Sequence, residues 1–247
     1  MSRDTAIVTG GGQGLGARIV QRLHIAGFNV VIADIADDAA SELAARLDPT
    51  GATVAAANLD VRDQAAFERV LEMATARWGS VEVLVNNAAM TVARPVLDIS
   101  PEEFDAVLAV NVRGTFVGSQ VFGRYFKTRR YGRIVNMGSL AAQNGGAATG
   151  AHYAASKGAI LTLTKVFARD LAPFGITVNA IAPGPLDLPN VHALLPADKL
   201  AAMIGTIPVG QLGDPGFIAD VIALLASREA SSATGATFDL NGGIFMR

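Results

Sequence analysis

Apolar positions along the first half of the chain come in two alternating textures. Short, nearly continuous runs of small and β-branched residues occupy 5–9, 29–34, 53–58 and 81–86. Between them lie longer stretches, 14–26, 37–47 and 63–78, whose apolar residues recur every three to four positions. A strand covered on both faces needs the first texture and an amphipathic helix the second. Gly27 and Gly79 stand just past two of the helical stretches, where a left-handed residue ends a helix. The run at 53–58 is the weakest strand, because alanine is a poor strand former. Its place in the rhythm carries the assignment.

The alternation continues. Ser100 followed by Pro101-Glu102-Glu103 is a helix start, and the helical pattern runs on to about Thr128. A strand at 133–137, a helix at 152–172 ending before Gly175, and a strand at 176–181 follow. Residues 183–208 break the rhythm with several prolines and one short helical piece at 198–204. That segment reads as a loop or lid over a cleft, with 185–207 as its substrate-binding part. A helix at 215–227 and a strand at 236–240 close the chain. Repeated βα units predict an α/β fold with a parallel sheet and helices on both faces. Over 247 residues they predict one domain spanning 1–247.

Composition narrows the functional classes. Hydrophobic residues make up 51% and charged residues 17%, with mean hydropathy +0.36. That excess suits a buried parallel sheet and further apolar surface hidden in an oligomer. A net charge of −2 gives no attraction to nucleic acid or an anionic membrane. With no cysteine there is neither a disulfide nor a thiolate metal site. His24 and His192 lack nearby carboxylates in sequence and predict no metal centre. The start of the chain has no extended apolar region and no run reaches membrane-spanning length, so a cytoplasmic location is expected.

Gly10, Gly11, Gly12, Gln13, Gly14, Leu15 and Gly16 lie between the first strand and the first helix. Glycines there let backbone N–H groups approach a pyrophosphate at a helix N-terminus, although an ordinary tight turn has the same look. Asp34 ends the second strand, where a carboxylate can accept from an adenosine ribose, and Ile35 brings no positive charge to it. A 2′-phosphate would meet Asp34 as a like charge, so NAD is expected and NADP less so. Asp60 and Val61 follow the third strand, and Asn86-Asn87-Ala88-Ala89 closes the fourth. Small and amide side chains there suit close passage of a cofactor, or plain turn formation.

Tyr153 and Lys157 are four apart in a predicted helix and so share a face. Moving a carbinol proton during hydride transfer needs a base, and a phenol beside an ammonium is expected to have its pKa lowered toward that task. The same pair occurs on ordinary helices. Ser139 follows a strand end and could donate to a substrate oxygen or serve as a turn serine. Asn111 sits in a long apolar helix, where its amide needs a partner: a local carbonyl, or a water connected to Lys157.

In order and register, these residues resemble the classical short-chain dehydrogenase/reductase family over essentially the whole chain. The match comprises the glycine motif from Thr9 to Gly16, Asp60, Asn86-Asn87-Ala88, Asn111, Ser139, Tyr153 with Lys157, Pro183-Gly184 and the late Asn241-Gly242-Gly243. The resemblance implies a Rossmann-type doubly wound sheet in three αβα layers, of strand order 3-2-1-4-5-6-7, and a homotetramer. It implies that Tyr153 is the acid/base, that Lys157 holds the nicotinamide ribose, and that Ser139 orients the substrate oxygen. Asn111 anchors a relay water, and Asp60 contacts adenine. Pro183, Gly184 and Leu186 complete the cofactor set, and Asp34 resembles NAD-selective members. Two positions depart from the pattern: Ala89 replaces a usual glycine, and Leu188 stands where many members carry a threonine that touches the nicotinamide carboxamide.

The pocket is expected from the loop after Met90, from 140–151 and from the lid. All are rich in small apolar residues, with Gln143, Asn144, His152 and His192 as polar possibilities. A small or medium secondary alcohol and its ketone are the expected substrates, and a 3-oxoacyl thioester is the alternative. A catalytically silent nucleotide-binding protein is a third reading, opposed by the intact Ser139, Tyr153 and Lys157. Arg94 reads as a solvated arginine and His152 as structural. The apolar tail from Gly243 to Arg247 is expected to pack on a neighbouring subunit rather than fold back on its own body.

Overall fold

The computed structural model describes residues 3–146, 149–194 and 196–247. Met1, Ser2, Ala147, Ala148 and Leu195 lie outside the described residues, so the expectations for 140–151, for the lid and for 1–247 are met by structure only in part. Seven strands form one sheet: β1 (Thr5–Thr9), β2 (Asn29–Asp34), β3 (Val54–Asn58), β4 (Val83–Asn86), β5 (Gly132–Met137), β6 (Ile176–Pro183) and β7 (Thr237–Leu240). Their order is β3-β2-β1-β4-β5-β6-β7, and every neighbouring pair is parallel. This is the parallel α/β sheet that the βα rhythm predicts, in the doubly wound order that the family resemblance implies.

Strand periodicity builds two cores. Ala6, Val8, Val30, Ile32, Val83, Val85 and Val135 face one side. There α1 (Gly14–Ile25) contributes Ile19 and Leu23, and α10 (Pro215–Ala226) contributes Ile218 and Ile222. The residues between them, Ile7, Val31, Leu84, Ile134 and Val178, face the other side. There they meet Phe67 of α3 (Gln64–Trp78), Phe122 and Phe126 of α5 (Gly114–Arg129) and Leu171 of α7 (Ala151–Leu171). Burial on both faces explains why the central strands read as continuous apolar runs. At the edge, β3 is only partly buried along its alanines, and α2 (Asp37–Leu47) lies beside it, so small side chains suffice there.

The structure refines several elements. The helix predicted from Pro101 to about Thr128 is three pieces: α4 (Pro101–Leu108), a π-helical turn over Ala109–Arg113, and α5. Ser100 caps α4 by accepting from the Glu103 N–H at 3.1 Å, as the sequence predicts. A short α6 (Ala141–Asn144) follows Ser139. The proline-rich segment holds two helices, α8 (Pro189–Leu194) and α9 (Ala197–Gly205), rather than one. The tail folds back on its own β7: Asn241 bonds the Phe245 backbone, and Arg247 pairs with Asp239 at 2.7 Å. Phe245 is partly covered within one chain, and Met246 beside it stays exposed. No helix among the described residues is long and apolar enough to cross a membrane.

Candidate active site

Parallel strands deliver their carboxyl ends to one edge, and the sheet order reverses between β1 and β4, which opens a crevice there. Gly10, Asp34, Asn87, Ser139 and Pro183 all stand at or just past those ends. Gly10 takes φ +61°, and a Cβ on it would meet the Ala88 backbone at 2.8 Å, so glycine is required for β1 and β4 to turn beside each other. Asn87 locks that approach by donating to the carbonyls of Thr9 and Gly10 at 3.0 and 2.9 Å.

Two adjoining clefts follow the crevice. The larger, about 1270 Å³, is lined by Gly12, Gln13, Gly14, Leu15, Asn87, Ala89, Thr91, Ser139, Tyr153, Lys157, Pro183, Gly184, Leu186 and Leu188, among others. The smaller, about 490 Å³, is lined by Gly10, Gly16, Asp34, Ile35, Asp60, Val61, Ala88 and neighbours. Of the residues assigned above to catalysis or the cofactor, all but Asn111, Gly11 and Asn86 line one of the two, whereas Gln143, Asn144, His152 and His192, the expected polar groups of the substrate pocket, line neither.

The N-terminus of α1 opens on the larger cleft. Its cap residue Gln13 makes no side-chain capping bond, and the first turn holds no acid. Its free N–H groups and positive dipole end therefore face the cleft uncompensated, which fits a dinucleotide's pyrophosphate. At the adenosine end Asp34 is buried and accepts from the N–H groups of Gly12 at 2.8 Å and Ala36 at 3.0 Å. An ionised carboxylate keeps further lone pairs for ribose hydroxyls. Asp60 is clasped by Arg62, whose Nε and Nη2 reach both oxygens, and this arginine holds the Asp60 carboxyl below the usual range. Sequence reasoning did not foresee that partner for the presumed adenine contact.

At the chemical end Tyr153 and Lys157 lie on one face of α7, as their spacing predicts. Lys157 is fully buried, and its Nζ donates to the Met137 carbonyl at 2.7 Å. Burial pulls the ammonium down to about 8. Its Nζ sits 5.5 Å from the centre of the Tyr153 ring. The expected lowering of the Tyr153 pKa is corrected by the structure: burial pushes the phenol up, opposed by hydrogen bonds with the hydroxyls of Ser139 and Thr91. Lys157 is anchored on a backbone carbonyl by one of its three N–H donors, which leaves two for other partners. Ser139 Oγ accepts the Ala141 N–H at 3.1 Å, which leaves its own proton free to donate.

Asn111 is buried in the π turn and lines neither cleft. Its Oδ1 accepts from the Met90 N–H at 2.7 Å, and its Nδ2 donates to the Met90 carbonyl at 3.0 Å and to Ser156 Oγ at 2.9 Å. Both amide protons are spent on the protein, so the side chain ties the loop after β4 to α7. His152 is fully buried; its Nδ1 accepts from the Tyr153 N–H at 2.9 Å, and its Nε2 meets Glu103 at 3.2 Å. Arg94, read as solvated, is bound to that same Glu103 at 2.8 Å. Asp187 pairs with His192 at 2.6 Å beside Leu188. Thr91 was missed, because a single loop hydroxyl carries no spacing signal.

Comparison with known proteins agrees with this geometry. Residues 10–244 match the family described as Enoyl-(Acyl carrier protein) reductase. The chain is 35% identical over 243 residues to the 3-oxoacyl-[acyl-carrier-protein] reductase FabG of Escherichia coli (strain K12), covering 98% of this chain and 97% of that protein. It is 34% identical over 253 residues to the sorbitol dehydrogenase of Cereibacter sphaeroides, with the same two coverages. A crystal structure of a short chain dehydrogenase from Bacillus anthracis superposes with a TM-score of 0.89 at 29% identity, over 99% of this chain and 97% of that one. The match over residues 10–244 and the likeness to these relatives along nearly the whole chain show that it belongs to the short-chain dehydrogenase/reductase family and is an NAD(P)-dependent oxidoreductase.

Proposed function

We propose that the chain reduces a 3-oxoacyl thioester to the 3-hydroxyacyl thioester with NADH, and catalyses the reverse. The observation that carries the chemistry is the placing of Tyr153, Ser139 and Lys157 together at the end of a cleft that runs to the open N-terminus of α1. The FabG relatives, similar over nearly their whole length, favour an acyl substrate over a simple ketone. Asp34 favours NADH over NADPH, because no cation stands among its hydrogen-bond partners to offset a 2′-phosphate.

The nicotinamide supplies the hydride when the dinucleotide is bound. The remaining work falls to this chain. The start of α1 holds the pyrophosphate, and Asp34 accepts from the adenosine ribose. Asp60 and Val61 flank the adenine, with Asp60 steadied by Arg62. Lys157 presents its ammonium to the nicotinamide ribose from a carbonyl-anchored position. Ser139 donates to the substrate oxygen, and Tyr153 gives its phenolic proton to that oxygen in reduction and takes it back in oxidation. Asn111 acts by holding Met90 and Ser156 in place. The segment 185–207, with α8 and α9, is assigned as the lid. Exposed Phe104, Phe116 and Val166 on α4, α5 and α7 support assembly into a homotetramer.

Purified protein assayed with acetoacetyl thioester, simple ketones and polyols, each with both cofactors, tests this. Highest kcat/KM is expected for the thioester with NADH, and Tyr153→Phe is expected to lower kcat by about 10²-fold or more while leaving NADH binding nearly unchanged. The sorbitol dehydrogenase likeness supports a second reading, oxidation of a polyol with NAD. A kcat/KM for sorbitol above that for any thioester would select it.

A further inference from the structure

We propose that His152 is a positioning residue for the acid/base: braced by Glu103 and Arg94, its imidazole holds the main chain of Tyr153 in place within the first turn of α7. The inference rests on Tyr153 being the acid/base of the proposed function.

Tyr153 stands third in α7, and the first turn of a helix is the one that frays, because its N–H groups lack the carbonyls of a preceding turn. The usual remedies are missing here. The N-cap Gly150 has no side chain to accept an N–H, and the first turn holds no acid. A capping residue in place of Gly150 does not fit: its Cβ would run into the His152 ring and meet the Val92 carbonyl at 2.8 Å. The fully buried imidazole occupies the place of a capping side chain and takes over its task, accepting the Tyr153 N–H on Nδ1 at 2.9 Å. The Gly150 carbonyl shares that N–H at 3.0 Å.

A backbone N–H can only donate, so Nδ1 is unprotonated and the ring proton sits on Nε2. Nε2 meets Glu103 Oε1 at 3.2 Å. Glu103 stands three residues after Ser100, where a capping box would turn its carboxylate back to the Ser100 N–H. It is turned to the histidine instead. Arg94 fixes it there, with Nε 3.1 Å from both oxygens and Nη2 2.8 Å from Oε2. The arginine also holds the Glu103 carboxyl below the usual range, so it stays an acceptor. These contacts tie the Tyr153 main chain to α4 and to the loop after β4, whose Ala89 and Thr91 line the larger cleft. One turn further along α7, Lys157 is anchored on β5 through the Met137 carbonyl. Tyr153 lies between two fixed points, and His152 is the one at the fraying end. A misplacement of about 1 Å can cost about 10²-fold in rate.

The test uses the whole protein with acetoacetyl thioester and NADH. His152→Phe keeps a buried ring and removes both bonds; kcat should fall about tenfold or more, with KM and NADH binding within about twofold of the parent. His152→Asn returns an acceptor to the Nδ1 position and should recover most of the loss. Added to Tyr153→Phe, His152→Phe should lower the residual rate no further, because it acts through the tyrosine. Amide exchange followed by mass spectrometry should quicken in the first turn of α7 and not elsewhere. If His152→Phe misfolds, Glu103→Ala removes the brace at a partly exposed side chain and carries the same comparison. An unchanged kcat, an equal loss in His152→Asn, a full further loss in the Tyr153→Phe background, or exchange that quickens over the whole molecule overturns the proposal. Absence of turnover on any thioester would sink the proposed function, and the exchange measurement would still decide whether His152 holds the turn.

Discussion

At Tyr153, burial and hydrogen bonding pull in opposite directions, and at Asp34 a carboxylate does two jobs with different lone pairs. The Asp34 oxygens bind Gly12 and Ala36, so they shape the glycine turn as well as the edge of the adenosine cleft. Asp34→Ser keeps an acceptor for one N–H while removing the charge. We expect the kcat/KM ratio of NADH over NADPH to fall at least about tenfold, measured by initial rates with both cofactors. A ratio that stays put would show that the preference is set elsewhere along the cleft. Spacing alone made Asp34 legible, since its place after β2 follows from the βα rhythm. Its backbone partners were not legible, and neither was the Arg62 clasp on Asp60. Such contacts depend on rotamers and turn geometry, which have no periodic trace in sequence.

The elements around the site are joined by side chains that a helical period cannot reveal. Across α4 and α5 the apolar pattern reads as one helix, because a π turn inserts its extra residue without breaking the run. That turn puts Asn111 between the loop after β4 and α7, with partners 21 and 45 positions away. At the start of α7 the N-cap Gly150 has no side chain to offer, and the His152 imidazole accepts from the Tyr153 N–H in its place. Glu103 then links His152 to Arg94. The sequence showed these as a lone amide, a lone histidine and a surface arginine. Asn111→Ala would strand the Met90 and Ser156 groups inside the protein. We expect a loss of about 1–3 kcal/mol in urea unfolding, and a lower kcat because the loop after β4 and α7 lose their shared anchor. A variant as stable as the parent would mean that water replaces the amide there.

For the molecule as a whole, a parallel sheet with helices on both faces was readable from the alternation of apolar runs and amphipathic stretches, while its strand order was implied by the family resemblance alone. The two helices inside 183–208 were less readable: prolines masked α8, whose one turn and a half is too short for a periodic signal. Stability at this scale carries the mark of the active site. Lys157 is buried between two largely apolar core clusters, and its folded pKa of about 8 lies below the unfolded 10.5. Below pH 8 both states carry the proton, and burying the charge weighs against folding. Between about pH 8 and 10.5 the unfolded chain binds more protons than the folded one, so stability rises with pH, by roughly 3 kcal/mol across that window. Tyr153 acts in the opposite sense above pH 10: its folded pKa is raised, so the unfolded state loses its proton first and stability falls. Replacing the ammonium by an uncharged chain of similar length isolates the lysine. Lys157→Met should unfold at higher urea than the parent at pH 7, and its advantage should shrink steadily toward pH 10. It should also be inactive throughout, since the charge that weakens the fold is the one the cofactor ribose requires. Parallel stability curves for the two proteins from pH 7 to 10 would show that Lys157 keeps its proton in the folded state as it does in the unfolded one.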